Sequence, residues 1–163
     1  MRVALGIGSN IGDRMGNLRK AVQLLKEKKI AIIAKSDIFE TAPVGVTQQP
    51  RFLNACVIIE TEAKPEELLS TIKTIEQEIG RVQRVHWGPR EIDIDILLLE
   101  NGQTYTSSTL CIPHPEMYKR AFVLVPLAQI APDWVHPLSK TTIDALAQKL
   151  NLQDETLIKI SSL

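Results

Sequence analysis

Apolar residues recur along this chain with two periods, and the points where the period changes mark out its elements. Val3 to Ile7 form a short apolar run ending in Gly8-Ser9-Asn10, which predicts a strand and a turn. Leu18, Ala21, Val22 and Leu25 then recur at i, i+3, i+4 and i+7, the spacing of one helix face. Ile30 to Glu40 predicts a second strand, broken into a loop at Thr41-Ala42-Pro43-Val44-Gly45. Phe52 to Glu60 predicts a third strand. Pro65 suits a first helical position, Leu68, Ile72, Ile75 and Ile79 follow on one stripe, and Gly80 is a helix stop. Arg81 to Arg90 reads as a loop and Glu91 to Leu99 as a fourth strand.

The order β-α-β-β-α-β predicts an α+β protein with a ferredoxin-like antiparallel sheet and helices packed on one face. Beyond Gly102 the chain adds proline-punctuated loops and closes with a helix through Ile143, Leu146, Ala147 and Leu150, a C-terminal extension of that core. There is no internal repeat or linker, so one domain is expected over residues 1–163.

Charge and cysteine content narrow the function classes. Nineteen basic and nineteen acidic residues cancel, which argues against a general nucleic-acid binder. Only Cys56 and Cys111 occur, too few for a disulfide framework. The opening Met1 to Gly6 has no long apolar core, and no apolar run approaches a membrane span. The expectation is a cytoplasmic monomer that binds neither membrane nor nucleic acid.

Candidate chemistry starts at Asp93 and Asp95. On a strand these point to one face, while Ile92, Ile94 and Ile96 point to the other, into the core. Adjacent carboxylates repel unless a cation joins them, and oxygen ligands suit Mg²⁺. A solvated strand face would show the same alternation. The preceding loop shifts the balance: Arg81, Arg84 and Arg90, with His86 and Trp87, lie in one glycine-bounded segment. Guanidinium forks match phosphate oxygens, although they would also pair with the aspartates. His114 and Arg120 are further candidates for phosphate. Asn54, a polar residue inside an apolar strand, needs partners and would read the edge of a flat heterocycle, with Phe52 and Phe122 stacking on its faces or filling the core.

Other nucleotide signatures fail. Gly6-Ile7-Gly8 opens like a dinucleotide fingerprint, but Ile11 breaks its register. There is no P-loop, no protein-kinase signature set and no zinc-ligand spacing. The aromatic strands of an RNA-recognition sheet are missing too.

Taken together, Gly8-Ser9-Asn10, Glu40 to Gly45, Phe52-Leu53-Asn54, Gly88-Pro89-Arg90-Glu91-Ile92-Asp93-Ile94-Asp95, Pro113-His114 and Arg120 to Leu127 resemble the hydroxymethyldihydropterin pyrophosphokinase family of folate biosynthesis. The resemblance implies transfer of pyrophosphate from ATP to 6-hydroxymethyl-7,8-dihydropterin, with release of AMP. It implies that Asp93 and Asp95 hold two Mg²⁺ ions and that Arg81 and Arg90 neutralise the phosphates. Asp95 would be the nearest candidate for a catalytic base. Arg84, Trp87, His114 and Arg120 would serve the nucleotide, with Glu76 and Ile96 along its side. The pterin would lie between Phe52 and Phe122, read by Asn54 and by the backbones of Thr41, Ala42 and Val44. Phe52 stands where a tyrosine is frequent in that family, and Gln83 and Pro115 also depart from its pattern.

Overall fold

A computed structural model describes residues 1–41, 50–82, 88–150 and 157–163. Ala42, Val44, Arg84 and Trp87 therefore lie outside the described residues. The predicted elements form in order: strand β1 (Arg2–Ser9), helix α1 (Arg14–Glu27), strands β2 (Ala31–Lys35), β3 (Asp37–Thr41) and β4 (Phe52–Glu60), helix α2 (Pro65–Ile79) and strand β5 (Asp93–Leu99). The expected single strand from Ile30 to Glu40 is two strands. Ser36 breaks it: its buried hydroxyl accepts from the Cys56 N–H at 2.8 Å and donates to the Asp37 carbonyl at 2.8 Å. The register against β4 slips there, pairing Lys35 with Val57 but Phe39 with Asn54.

The main sheet is antiparallel throughout its described pairs, in the order β10-β3-β4-β1-β5, with β2 also on β4 and β10 spanning Ile158–Ser162. The stripe predicted on α1 is the one it buries: Leu18, Ala21, Val22 and Leu25 pack with Leu68, Ile72 and Ile75 of α2 against Val3, Leu5, Ile7, Val57 and Ile94. Burying each Val, Leu or Ile side chain contributes about 1.5–3 kcal/mol. Both helices have sound ends. The Asp13 carboxylate accepts from the Gly16 N–H at 3.0 Å at the start of α1. Gly80 takes the left-handed conformation, φ 106°, that ends α2.

The other face of the sheet is covered as well. After strands β6 (Tyr105–Thr106) and β7 (Cys111–Ile112) comes helix α3 (Ala121–Ile130). Strands β8 (Val135–His136) and β9 (Thr141–Thr142) then lead into α4 (Ile143–Lys149). Leu124 and Leu127 of α3 and Ile143 and Leu146 of α4 pack on Ala4, Cys56, Ile58 and Leu98. The expected arrangement with helices on one face thus gives way to a sheet between two helical layers. The second layer is short, and the sheet surface beside α3 stays open. Several of the candidate residues gather there.

Candidate functional site

Strand pairing fixes the centre of the site. Gly8 of β1 lies between Asn54 of β4 and Asp93 of β5, and Gly6 lies between Cys56 and Asp95. Two cross-strand rows result, each with a glycine in the middle. Neighbouring strands are about 4.8 Å apart, so Asn54 and Asp93 stand roughly 9.5 Å apart with no side chain between them. The glycines add no side chain of their own to the floor of a cleft of about 660 Å³ counted with its open mouth, where Asn54 reaches over Gly8 and Leu97 over Gly6.

One end of the cleft is neutral and flat. Phe52, Phe122, Thr41 and Asn54 line it. Asn54 is 7 % exposed, and its Nδ2 has no hydrogen-bond partner among the described residues. A buried donor left unpaired costs about 1–3 kcal/mol, so this amide is built for an acceptor that arrives with a ligand.

The other end is charged. Asp93, Asp95, Arg90 and Arg120 line it. Arg81 donates to Asp93 Oδ1 at 3.2 Å and Arg90 to Oδ2 at 3.1 Å, so each arginine takes one oxygen of the same carboxylate. The Asp95 carboxyl is pushed up to about 7, first by burial and next by the negative charge of Asp93; Arg120 and Arg90 pull the other way. A cation beside Asp95 would favour its charged form. The pair's oxygen donors suit a hard cation such as Mg²⁺, which is commonly bound by one or two carboxylates with the rest of its shell from phosphates and water. Among the described residues no group of three or more His, Cys, Asp or Glu side chains stands together. Arg120 also lies over the Phe122 ring, 5.6 Å from its centroid, and joins the two ends.

Not every expected residue lines the cleft. Ile96 is buried on the opposite face with the α1–α2 core, as its one-residue offset from Asp95 requires. His114 sits beside the charged end. Its Nδ1 accepts from the Glu116 N–H at 3.1 Å, and burial holds its pKa below the usual histidine value. Glu76 lies behind β5, 2 % exposed. It accepts from Arg81 at 2.7 Å and from the Ile94 N–H at 2.9 Å, so it anchors both the arginine and the strand that carries the aspartates. Glu76→Ala should destabilise the fold by about 3 kcal/mol because a buried charge partner is lost and an N–H is left unpaired. Urea unfolding checks this, and an unchanged midpoint would refute the anchoring role.

Sequence reasoning missed the glycine floor. Gly6-Ile7-Gly8 looks like a failed nucleotide motif, yet a glycine within a strand is also the mark of close approach by a ligand or another backbone. A Cβ on Gly8 would stand 2.8 Å from Asn54 Oδ1 and 3.6 Å from the Phe52 ring. Gly8→Ala should therefore displace Asn54 and weaken binding at the flat end about tenfold, the factor for one misplaced buried hydrogen bond. Titration of a fluorescent bicyclic heterocycle would read the change, and unaltered affinity would show that the cleft floor is not used.

Comparison with known proteins gives three likenesses of sequence and one of fold. The model of the 7,8-dihydro-6-hydroxymethylpterin-pyrophosphokinase (HPPK) family matches residues 4–132. A 2-amino-4-hydroxy-6-hydroxymethyldihydropteridine pyrophosphokinase of Methylorubrum extorquens is 47% identical over 90% of this chain and 92% of its own length. A mitochondrial folate synthesis bifunctional protein of Arabidopsis thaliana is 47% identical over 78% of this chain, which spans 23% of that larger protein. The crystal structure of Plasmodium falciparum HPPK-DHPS with SDX-DHP superposes with a TM-score of 0.71 at 19% identity, covering 91% of this chain and 43% of that one. This last likeness concerns the fold, a mixed sheet-and-helix architecture.

Proposed function

The chain belongs to the 7,8-dihydro-6-hydroxymethylpterin-pyrophosphokinase family, and we propose that it transfers pyrophosphate from ATP to 6-hydroxymethyl-7,8-dihydropterin, releasing AMP, in folate biosynthesis. The observation that carries the pterin assignment is the Asn54 amide, buried and unpartnered at the flat end of the cleft. A pterin presents ring nitrogens and a carbonyl along one edge and two flat faces. Asn54 meets the edge, and Phe52 and Phe122 meet the faces. The backbones of Thr41, Ala42 and Val44 complete the edge contacts. The hydroxymethyl group then points along the glycine floor toward Asp93 and Asp95.

The chain's own residues do two things for the reaction. They fix the attacking hydroxyl in line with the β-phosphorus, which is most of what phosphoryl transfer asks of a protein. They also present positive charge where negative charge collects, through Arg81, Arg90 and Arg120, with Arg84, Trp87 and His114 serving the nucleotide. Asp93 and Asp95 would hold two Mg²⁺ ions, which supply charge neutralisation at the phosphate oxygens when bound. Arg81 and Arg90, which hold Asp93, would also meet the phosphate oxygens.

The core strand order β5-β1-β4-β3 with α1 and α2 on one face supports the ferredoxin-like reading, with α3, α4 and β10 as a C-terminal extension in one domain. Cys56 and Cys111 are free thiols, which suits the cytoplasm. No helix among the described residues is long and apolar enough to cross a membrane. The test is incubation with ATP, Mg²⁺ and the dihydropterin. AMP and the pterin pyrophosphate should appear in equal amounts, and ADP in place of AMP would overturn the assignment.

A further inference from the structure

We infer that Asn10 is a positioning residue that holds the pterin half of the cleft in register with the nucleotide half. The inference rests on the transfer proposed above. Asn10 follows directly on β1 and is fully buried. Its Nδ2 donates to the Pro50 carbonyl at 3.0 Å. Its Oδ1 accepts from the Arg90 N–H at 2.8 Å, and its own N–H donates to the Arg90 carbonyl at 3.0 Å. Pro50 leads into β4, two residues before Phe52 and four before Asn54. Arg90 leads into β5, three residues before Asp93. One amide thus spans the entries to the two strands that carry the opposite ends of the cleft.

The surrounding turn supports this role. Arg14 donates to Glu40 Oε2 at 3.0 Å and to the Arg51 carbonyl at 2.8 Å, gripping the pterin half. Asn17 donates to the Glu91 carbonyl at 3.0 Å, gripping the nucleotide half. The Asn10 side chain reaches both. Only an amide of this length offers a donor to one strand entry and an acceptor to the other; a serine is too short and an alanine has neither. Asn10 lines no part of the cleft, so substrate contacts survive its removal. The alignment of hydroxyl and β-phosphorus does not, and about 1 Å of misplacement costs roughly 100-fold in rate.

The test compares Asn10→Ala and Asn10→Ser with the native enzyme. Turnover is expressed per folded molecule, and affinities for the dihydropterin and a non-hydrolysable ATP analogue with Mg²⁺ are measured separately. Turnover should fall about 100-fold while both affinities stay within about threefold. A purely structural role would lower the melting temperature and leave turnover per folded molecule intact. That result overturns the inference, as does a loss confined to one substrate's affinity or failure of both variants to fold. Native enzyme that transfers normally beside unaffected variants refutes only the role of Asn10. Native enzyme that releases no AMP refutes the transfer reaction and the inference with it.

Discussion

Asp95→Asn is expected to lower turnover on the order of 1,000-fold and, in the same molecule, to raise the melting temperature of the metal-free protein at pH 8. The first effect follows from charge. The Asp93–Asp95 pair is the anionic end of the cleft, and cation binding beside a polyphosphate needs both carboxylates. An amide keeps the size of Asp95 and removes its charge.

The second effect follows from linkage. A free aspartate titrates near 3.8, whereas Asp95 in the fold titrates at about 7 because burial and Asp93 disfavour its charged form. Above pH 7 the folded state carries that penalty in full. As pH falls from about 7 toward 3.8 the carboxyl protonates in the fold and the penalty disappears. Asparagine never carries it. The melting difference between variant and native protein should therefore be largest at pH 8 and vanish near pH 4, with EDTA present throughout. Equal melting temperatures across that range would refute the electrostatic account of the pair, and near-normal turnover would refute the metal assignment. The native carboxylate lowers stability where the chemistry needs charge, a trade found at many active sites.

What could be read from the sequence follows from the range of the interactions involved. Helices α1 and α2 are legible because each buries one stripe and leaves the rest in water, so local spacing carries the signal. Helix α3 is not, since Ala121-Phe122-Val123-Leu124-Val125-Pro126-Leu127-Ala128 is apolar nearly all round and contains a proline. Its burial against the sheet, rather than any period, makes it a helix. The break at Ser36 depends on Cys56, twenty residues away, and no local pattern encodes it. In the site, the period of two on β5 placed Asp93 and Asp95 together and turned the Ile96 side chain to the far side, so that only the Ile96 backbone is left toward the cleft. The meeting of Phe52, Asn54 and Phe122 comes from β4 and α3 folding over one strip of sheet. Their proximity is a tertiary fact that the family likeness implies and spacing does not. The roles of Gly6 and Gly8 become visible only once the strands on either side of β1 are known.

Arg90→Ala should lower turnover between about 100- and 1,000-fold, the range for removing one preorganised donor at developing charge, with pterin affinity within about threefold of native. Arg81 and Arg90 both hold Asp93, but they are anchored differently. Arg81 is also bound to the buried Glu76 at 2.7 Å, whereas Arg90 lines the cleft itself. Removing Arg90 leaves Asp93 paired with Arg81, so the strand and its carboxylates stay in place. It also removes a positive charge that favours ionised Asp95, making the pair harder to charge, and it strips one cation from the polyphosphate. The flat end does not depend on it, since Asn54, Phe52, Phe122 and the glycine floor are untouched. Arg90→Lys should recover only part of the rate, because an ammonium supplies a point charge without the planar fork that grips two oxygens. Separate measurement of kcat and of pterin binding decides the matter. A large loss of pterin affinity at an unchanged rate would move Arg90 to the other end of the cleft, and full recovery by lysine would reduce its role to net charge alone.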